Sequence, residues 1–231
     1  RGYDYSRTAN PTRDLLGDTL AKLEGGAGAV VTSSGMAAID LVLATLTATD
    51  LVIAPHDCYG GTYRLLAARA AKGQFRLLFI DQNDGDKIAE ALQQAPTLIL
   101  METPSNPLMR IVDICSVANL VKAAGAKVAV DNTFLSPALQ QPIALGADFV
   151  IHSTTKYLNG HSDVVGGAVI AADRKDVDAL ASWANITGVT GSPFDAYLTL
   201  RGVRSLFPRI ERQQQTAAAI AAFLKQHKAI S

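Results

Sequence analysis

The residues best suited to chemistry sit in one short stretch, His152-Ser153-Thr154-Thr155-Lys156-Tyr157, which continues through Leu158-Asn159-Gly160-His161-Ser162-Asp163. Lys156 lies just past an apolar run, Ala147 to Ile151, and directly after the hydroxyl residues Ser153, Thr154 and Thr155. A lysine at a strand end, among hydroxyls that suit a phosphate and beside a glycine turn, can be a Schiff-base lysine. It would be the covalent anchor of pyridoxal phosphate, with Ser153 and Thr155 on the phosphate. Taken alone, the stretch fits more plainly a strand-end lysine that snorkels to water. A second site shifts that balance. Lys127-Val128-Ala129-Val130-Asp131-Asn132-Thr133 places Asp131 where an apolar strand runs out, at the edge where open α/β sheets collect ligands. An acid there is what a pyridoxal enzyme needs to keep the ring nitrogen protonated, which makes the ring an electron sink.

The elements that must carry these groups can be read in order. Residues 1–10 are polar and aromatic without a period and read as an arm. Asn10-Pro11 opens a helix, with asparagine as cap and proline at the first helical position, and Gly25-Gly26 ends it. Ala27 to Thr32 is a strand, and Ser33-Ser34-Gly35-Met36 then opens a helix to about Leu46. A strand-to-helix turn of small residues is a ready anion site, although an ordinary serine cap explains Ser34 equally well.

The same alternation recurs. Strands are expected at Leu51–Ala54, Phe75–Ile80, Thr97–Met101, the run to Asp131, the run to Ile151, and Val164–Ala171. Helices are expected at about Thr62–Lys72, Asp86–Gln94, Asp113 (as cap) to Ala124, Val177–Ala184, Asp195–Leu206 and Pro208–His227. Glu102 to Pro107 reads as a loop stiffened by its prolines. This pattern predicts an α/β fold, a mostly parallel sheet covered by helices on both faces. Gly35, Tyr59, Asn106, Asp131 and Lys156 all follow strand ends, which a parallel sheet gathers on one edge. Tyr59 can stack there on a planar ring, or it can be a loop tyrosine half packed on the core. His56-Asp57-Cys58 could suggest a metal, but adjacent residues rarely converge on one ion, and no metal site is expected.

Composition sets the wider limits. The chain has 231 residues, zero net charge, 48% apolar and 18% charged residues. A large core is expected, with no nucleic-acid partner and no membrane. Two cysteines suggest no disulfide framework, which makes a cytoplasmic setting the default. Asn185-Ile186-Thr187 matches a glycosylation sequon and is read as chance. With Arg1 rather than Met at its start and a helix running to Ser231, the sequence is expected to be an excerpt of a longer protein.

Six motifs in order carry a resemblance along nearly the whole chain. They are Tyr5-Ser6-Arg7 with Asn10-Pro11-Thr12, Ser34 to Ala38, Asp57 to Gly61, Ser105-Asn106-Pro107, Asp131-Asn132-Thr133 and Ser153 to Tyr157. The chain thereby resembles the pyridoxal-phosphate-dependent enzymes of cysteine and methionine metabolism. The resemblance implies the aspartate-aminotransferase-like fold (fold type I): an arm over 1–10, a cofactor domain over 11–207, and a helix over 208–231 leading to a C-terminal domain outside the sequence. It also implies a homotetramer built from tight dimers. Lys156 would anchor the cofactor and shuttle protons, Asp131 would pair with the ring nitrogen, and Tyr59 would stack on the ring; these three are the implied catalytic residues. Asn106 and Thr133 would contact the ring's polar edge, while Gly35, Met36, Ser153 and Thr155 would hold the phosphate. Tyr5 and Arg7 would reach the phosphate of the neighbouring subunit. The implied substrates are small amino acids, and Asp57–Arg64 with Tyr157–Val165 point to replacement of the γ-acyl group of an acylated homoserine by cysteine. Related lyases and sulfhydrylases share these residues. The arginine that grips the substrate carboxylate is expected beyond residue 231.

Two rival readings differ in kind. A nicotinamide enzyme would need a Gly-x-Gly-x-x-Gly after the first strand, which is absent. A catalytically silent homologue acting as an interaction module would have no need of both Lys156 and Asp131.

Overall fold

The computed structural model describes residues 2–230; Arg1 and Ser231, at the outer ends of the predicted arm and last segment, lie outside the described residues. After the arm come α1 (Pro11–Glu24), β1 (Gly28–Thr32), α2 (Gly35–Leu43), β2 (Leu51–Pro55), α3 (Gly60–Ala71), β3 (Arg76–Ile80), α4 (Gly85–Leu92) and β4 (Leu98–Glu102). They are followed by α5 (Ile114–Ala123), β5 (Lys127–Asp131), the short α6 (Ser136–Leu139), a 3-10 turn (Pro142–Leu145), β6 (Phe149–His152) and β7 (Gly167–Ala171). Helices α7 (Arg174–Thr187), α8 (Pro193–Val203) and α9 (Leu206–Lys225) complete the order.

The sheet has seven strands in the order β1-β7-β6-β5-β4-β2-β3. β7 runs antiparallel to both of its neighbours, β1 and β6, and the remaining pairs are parallel. The fold is therefore a mostly parallel α/β sheet, as its alternating sequence predicts. Its central strands read as continuous apolar runs because both of their faces are covered. Val52, Leu100, Ala129 and Ile151 pack with α2, α3 and α7 on one face. Ile53, Ile99, Val128 and Val130 meet α4 and α5 on the other. At the β1–β7–β6 end, α1, α8 and α9 cover Val31, Val150 and Ile170. Beyond Ile210, α9 leaves this body, and Ile220, Phe223 and Leu224 stay exposed on it.

Caps place several of the boundaries. Asn10 Oδ1 accepts from Thr12 N and Arg13 N, Asp113 Oδ1 accepts from Ser116 N, and Gly25 ends α1 at φ 76. Other boundaries differ from the expected ones for local reasons. α2 stops at Leu43, because Thr45 donates both its N–H and its hydroxyl to Val42 O and tightens the turn. β7 begins at Gly167 instead of Val164, because both backbone groups of Gly166 are bonded to the Thr155 hydroxyl and not to the ladder. Asp173 caps α7 through Lys175 N, earlier than the expected Val177. α9 begins at Leu206, so Pro208 falls in its first turn.

One polar cluster ties α1 beneath the site. Glu24, the last residue of α1, is 1% exposed and accepts from Asn132 Nδ2 at 2.9 Å. The same oxygen lies 2.6 Å from His152 Nε2, and Asn132 Nδ2 also donates to Gln140 O. These bonds hold the ends of β5 and β6 against α1.

Candidate active site

The strand ends meet at a cavity of about 360 Å³ lined by Gly35, Met36, Tyr59, Asn106, Asp131, Thr133, Ser153, Thr155 and Lys156. β1 and β6 point the same way because the antiparallel β7 lies between them, so their following turns open on the edge shared with β2, β4 and β5. Nine of the eleven sequence candidates are thus brought together. The other two are not. In its own chain Arg7 donates through Nη1 to Asn185 Oδ1 at 2.7 Å, and its guanidinium lies 5.1 Å from the centre of the Tyr5 ring, away from the cavity. The buried Arg13 pins this arm by donating to Ser6 O at 2.7 Å and Arg7 O at 3.2 Å.

One end of the cavity suits an anion. Ser34 caps α2 by accepting from Ala37 N at 3.0 Å, leaving the first turn, Gly35 and Met36, open to the cavity. A Cβ at Gly35 would fall 2.7 Å from the Ser153 Cβ, so only glycine lets this helix start come so close to the turn after β6. Thr155 Oγ1 accepts from Gly166 N at 3.1 Å and donates to Gly166 O at 3.2 Å. Thr133 Oγ1 accepts from Ser153 N at 2.9 Å, joining the turns after β5 and β6.

The other end is rich in carboxyls. Asp131 ends β5, with Oδ1 accepting from Thr133 N at 3.0 Å. Burial pushes its carboxyl above the usual range, against the pull of the Thr133 hydrogen bonds and of His152. Glu102 stands opposite Asp131 in the β4–β5 register. Its carboxyl is pushed up to about 7, first by burial and further by Asp131 and Asp57. Two carboxyls that resist ionisation side by side mark a place that a cation would relieve. An anion cradle at one end, an acid pair at the other and a lysine at the rim fit pyridoxal phosphate, whose phosphate and protonated ring nitrogen carry those charges.

Tyr59 lies across the start of α3, half exposed, and its ring depends on Gly61. A Cβ at Gly61 would come within 2.5 Å of Tyr59 Cε1 and 2.9 Å of Met36 Sδ. Gly61→Ala in the full-length protein should therefore push the ring aside and weaken pyridoxal phosphate binding about two- to tenfold, the worth of one aromatic stack. Equilibrium dialysis of the cofactor checks it; unaltered affinity would mean that Tyr59 does not stack.

Sequence reasoning missed Glu102, Phe134 and Val165, which also line the cavity. Glu102 carried a usable signal, an acid ending an apolar strand in the manner of Asp131. Phe134 and Val165 carried none, since each sits in irregular chain. His56 turns its Nδ1 to Ile80 O at 3.0 Å, and among the described residues no group of three or more His, Cys, Asp or Glu is placed to hold a metal. Among them, too, no helix is long and apolar enough to cross a membrane.

Comparison with known proteins places this geometry. The family described as Cys/Met metabolism PLP-dependent enzyme matches residues 1–231. Cystathionine gamma-synthase of Escherichia coli K12 is 58% identical over 226 residues, covering 97% of this chain and 58% of that protein. Cystathionine gamma-lyase of Bacillus subtilis 168 is 43% identical over 229 residues, covering 99% of this chain and 60% of that protein. The crystal structure of cystathionine gamma synthase from Xanthomonas oryzae pv. oryzae in complex with cystathionine superposes with a TM-score of 0.97 at 58% identity, covering 99% of this chain and 59% of that one. The chain thus spans about three fifths of the length of these relatives.

Proposed function

The chain belongs to the Cys/Met metabolism PLP-dependent enzymes, and from that premise we propose that the full-length protein makes cystathionine from an O-acylated homoserine and cysteine. In that reaction the γ-carbon–oxygen bond breaks first and the acyl group leaves as a carboxylate; the cysteine sulfur then bonds to the γ-carbon as its thiol proton is lost. The observation that carries this reading is the convergence of Lys156, Asp131 and the α2 N-terminus on one cavity. The names of the relatives from Escherichia coli and Xanthomonas oryzae support the choice of reaction.

When bound, pyridoxal phosphate supplies an electron sink that stabilises negative charge developing on the substrate carbons. The chain's own residues do the rest. Gly35 and Met36 offer backbone N–H groups to the phosphate, joined by the Ser153 hydroxyl. Thr155 exchanges its long bond to Gly166 O for the same phosphate. Asp131 holds the proton on the ring nitrogen, Tyr59 fixes the plane of the ring, and Asn106 and Thr133 orient its polar edge. Lys156 Nζ anchors the cofactor and moves protons at the substrate α- and β-carbons. Tyr5 and Arg7 serve the phosphate of a partner subunit, in a cytoplasmic homotetramer of paired dimers. α9 leads on to a smaller domain that grips the substrate carboxylate.

Product analysis of the full-length enzyme tests the reaction. With acylated homoserine and cysteine, cystathionine should form faster than any α-keto acid is released. The Bacillus subtilis relative, a lyase, favours a second reading, and mainly keto acid with ammonia would move the protein to that branch.

A further inference from the structure

Glu102 ends β4 with only 7% of its surface exposed, and among the described residues no basic side chain pairs with it. Its two oxygens go instead to two loops. Oε2 accepts from Tyr59 N at 2.9 Å, just before α3, and Oε1 accepts from Asn106 N at 2.8 Å, beyond β4. A buried carboxylate is costly, and more so beside Asp131 and Asp57. Two charge-assisted bonds, from Tyr59 N and Asn106 N, offset part of that cost, and only a carboxylate accepts at both ends: a glutamine would turn its NH₂ toward one of the N–H groups. Behind it the same loops are tied again, Ser105 Oγ donating to Asp57 Oδ2 at 2.9 Å and Arg110 lying 3.8 Å from that carboxylate. The inner tie is the one that faces the cavity.

We infer that Glu102 is a positioning residue whose carboxylate bridges the Tyr59 and Asn106 backbones, and so sets the stacking tyrosine against the amide at the ring's edge. The inference deepens the proposed function and rests on it. Glu102 touches the loops that present the two side chains, not the reacting atoms. An amide at this position keeps one loop and releases the other, and a shortened acid reaches one loop only.

The test uses the full-length wild type, Glu102→Gln and Glu102→Asp. Borohydride reduction of the wild type comes first. A pyridoxyl group on Lys156 upholds the proposed cofactor site; its absence overturns that site and the inference with it. With the group found, both variants should bind pyridoxal phosphate about tenfold more weakly, the scale of one lost hydrogen bond to a charged group. Their visible circular dichroism per bound cofactor should change, because the ring sits differently between Tyr59 and Asn106. Wild-type affinity and dichroism in both variants would overturn the inference alone. So would full rescue by aspartate, which would make charge and not the bridge the working feature. A lower melting temperature with unaltered dichroism per bound cofactor would reduce Glu102 to a structural role. Should Glu102→Gln fail to fold, Glu102→Asp carries the same comparison.

Discussion

Asp131→Asn in the full-length protein should leave pyridoxal phosphate bound and lower turnover by about 10²–10³-fold or more, the scale on which removal of one electrostatic partner acts. The proposed anchor, Lys156, and the proposed phosphate cradle at the start of α2 line the same cavity and are left untouched by the substitution. Asparagine keeps an oxygen for Thr133 N, so the turn after β5 keeps its bond. What changes is charge. In the protein alone, burial pushes the Asp131 carboxyl up, toward its neutral form. A protonated ring nitrogen within about 4–6 Å acts in the opposite sense and lowers a carboxyl pKa by about 1–3 units. In the proposed pairing the ionised carboxylate and the nitrogen's proton would therefore stabilise each other. An amide has no charge to give, so it would not hold the proton on the nitrogen, and the ring would withdraw electrons less well. Cofactor absorbance per chain, measured beside turnover, separates binding from chemistry. Unchanged turnover with cofactor bound would reject the role of Asp131.

The parts of this site that were legible in sequence are those set by local chemistry. Asn10, Ser34 and Asp113 announce helix starts because each cap bonds within its own turn. The central strands are plain because residues such as Val52, Ile53, Val128 and Ala129 are buried on both faces, leaving no polar residue to break the run. Asp131 and Lys156 stand out against those runs. The 136–145 segment was not legible. Ser136 takes φ 55, a left-handed conformation that its residue type does not signal, and its surroundings are fixed by Asn132, Gln140 and Glu24 across 108 residues of chain. Glu102 is legible only in part: as an acid ending an apolar strand it points to the site, but its bond to Tyr59 N spans 43 residues, which no local pattern reports. The arm is a third case. Its residue types suggest a phosphate, while in its own chain Arg7 bonds to Asn185, 178 residues away, which no local pattern reports.

Refolding Arg7→Ala together with Lys156→Ala, in equal amounts and at full length, should restore roughly a quarter of wild-type activity from two nearly inactive parents. Arg7 in its own chain is bound to the amide of Asn185, a weaker partner for a guanidinium than a phosphate. Arg13 holds the backbone at Ser6 and Arg7, so the arm is presented in a defined place while the side chains of Tyr5 and Arg7 remain outside their own cavity. An isologous dimer makes any gift of an arm reciprocal. If Arg7 works across the dimer, each mixed dimer holds one site with both defects and one with neither. Random pairing makes about half of the dimers mixed, and half of their sites are whole. If Arg7 serves its own subunit, every site in a mixed dimer carries one defect, and activity stays at the level of the parents. Two different affinity tags show that mixed dimers are present, and wild type carried through the same refolding sets the scale. Recovery then assigns the arm to the neighbouring site, and its absence in proven mixed dimers returns Arg7 to Asn185 and a role within its own chain.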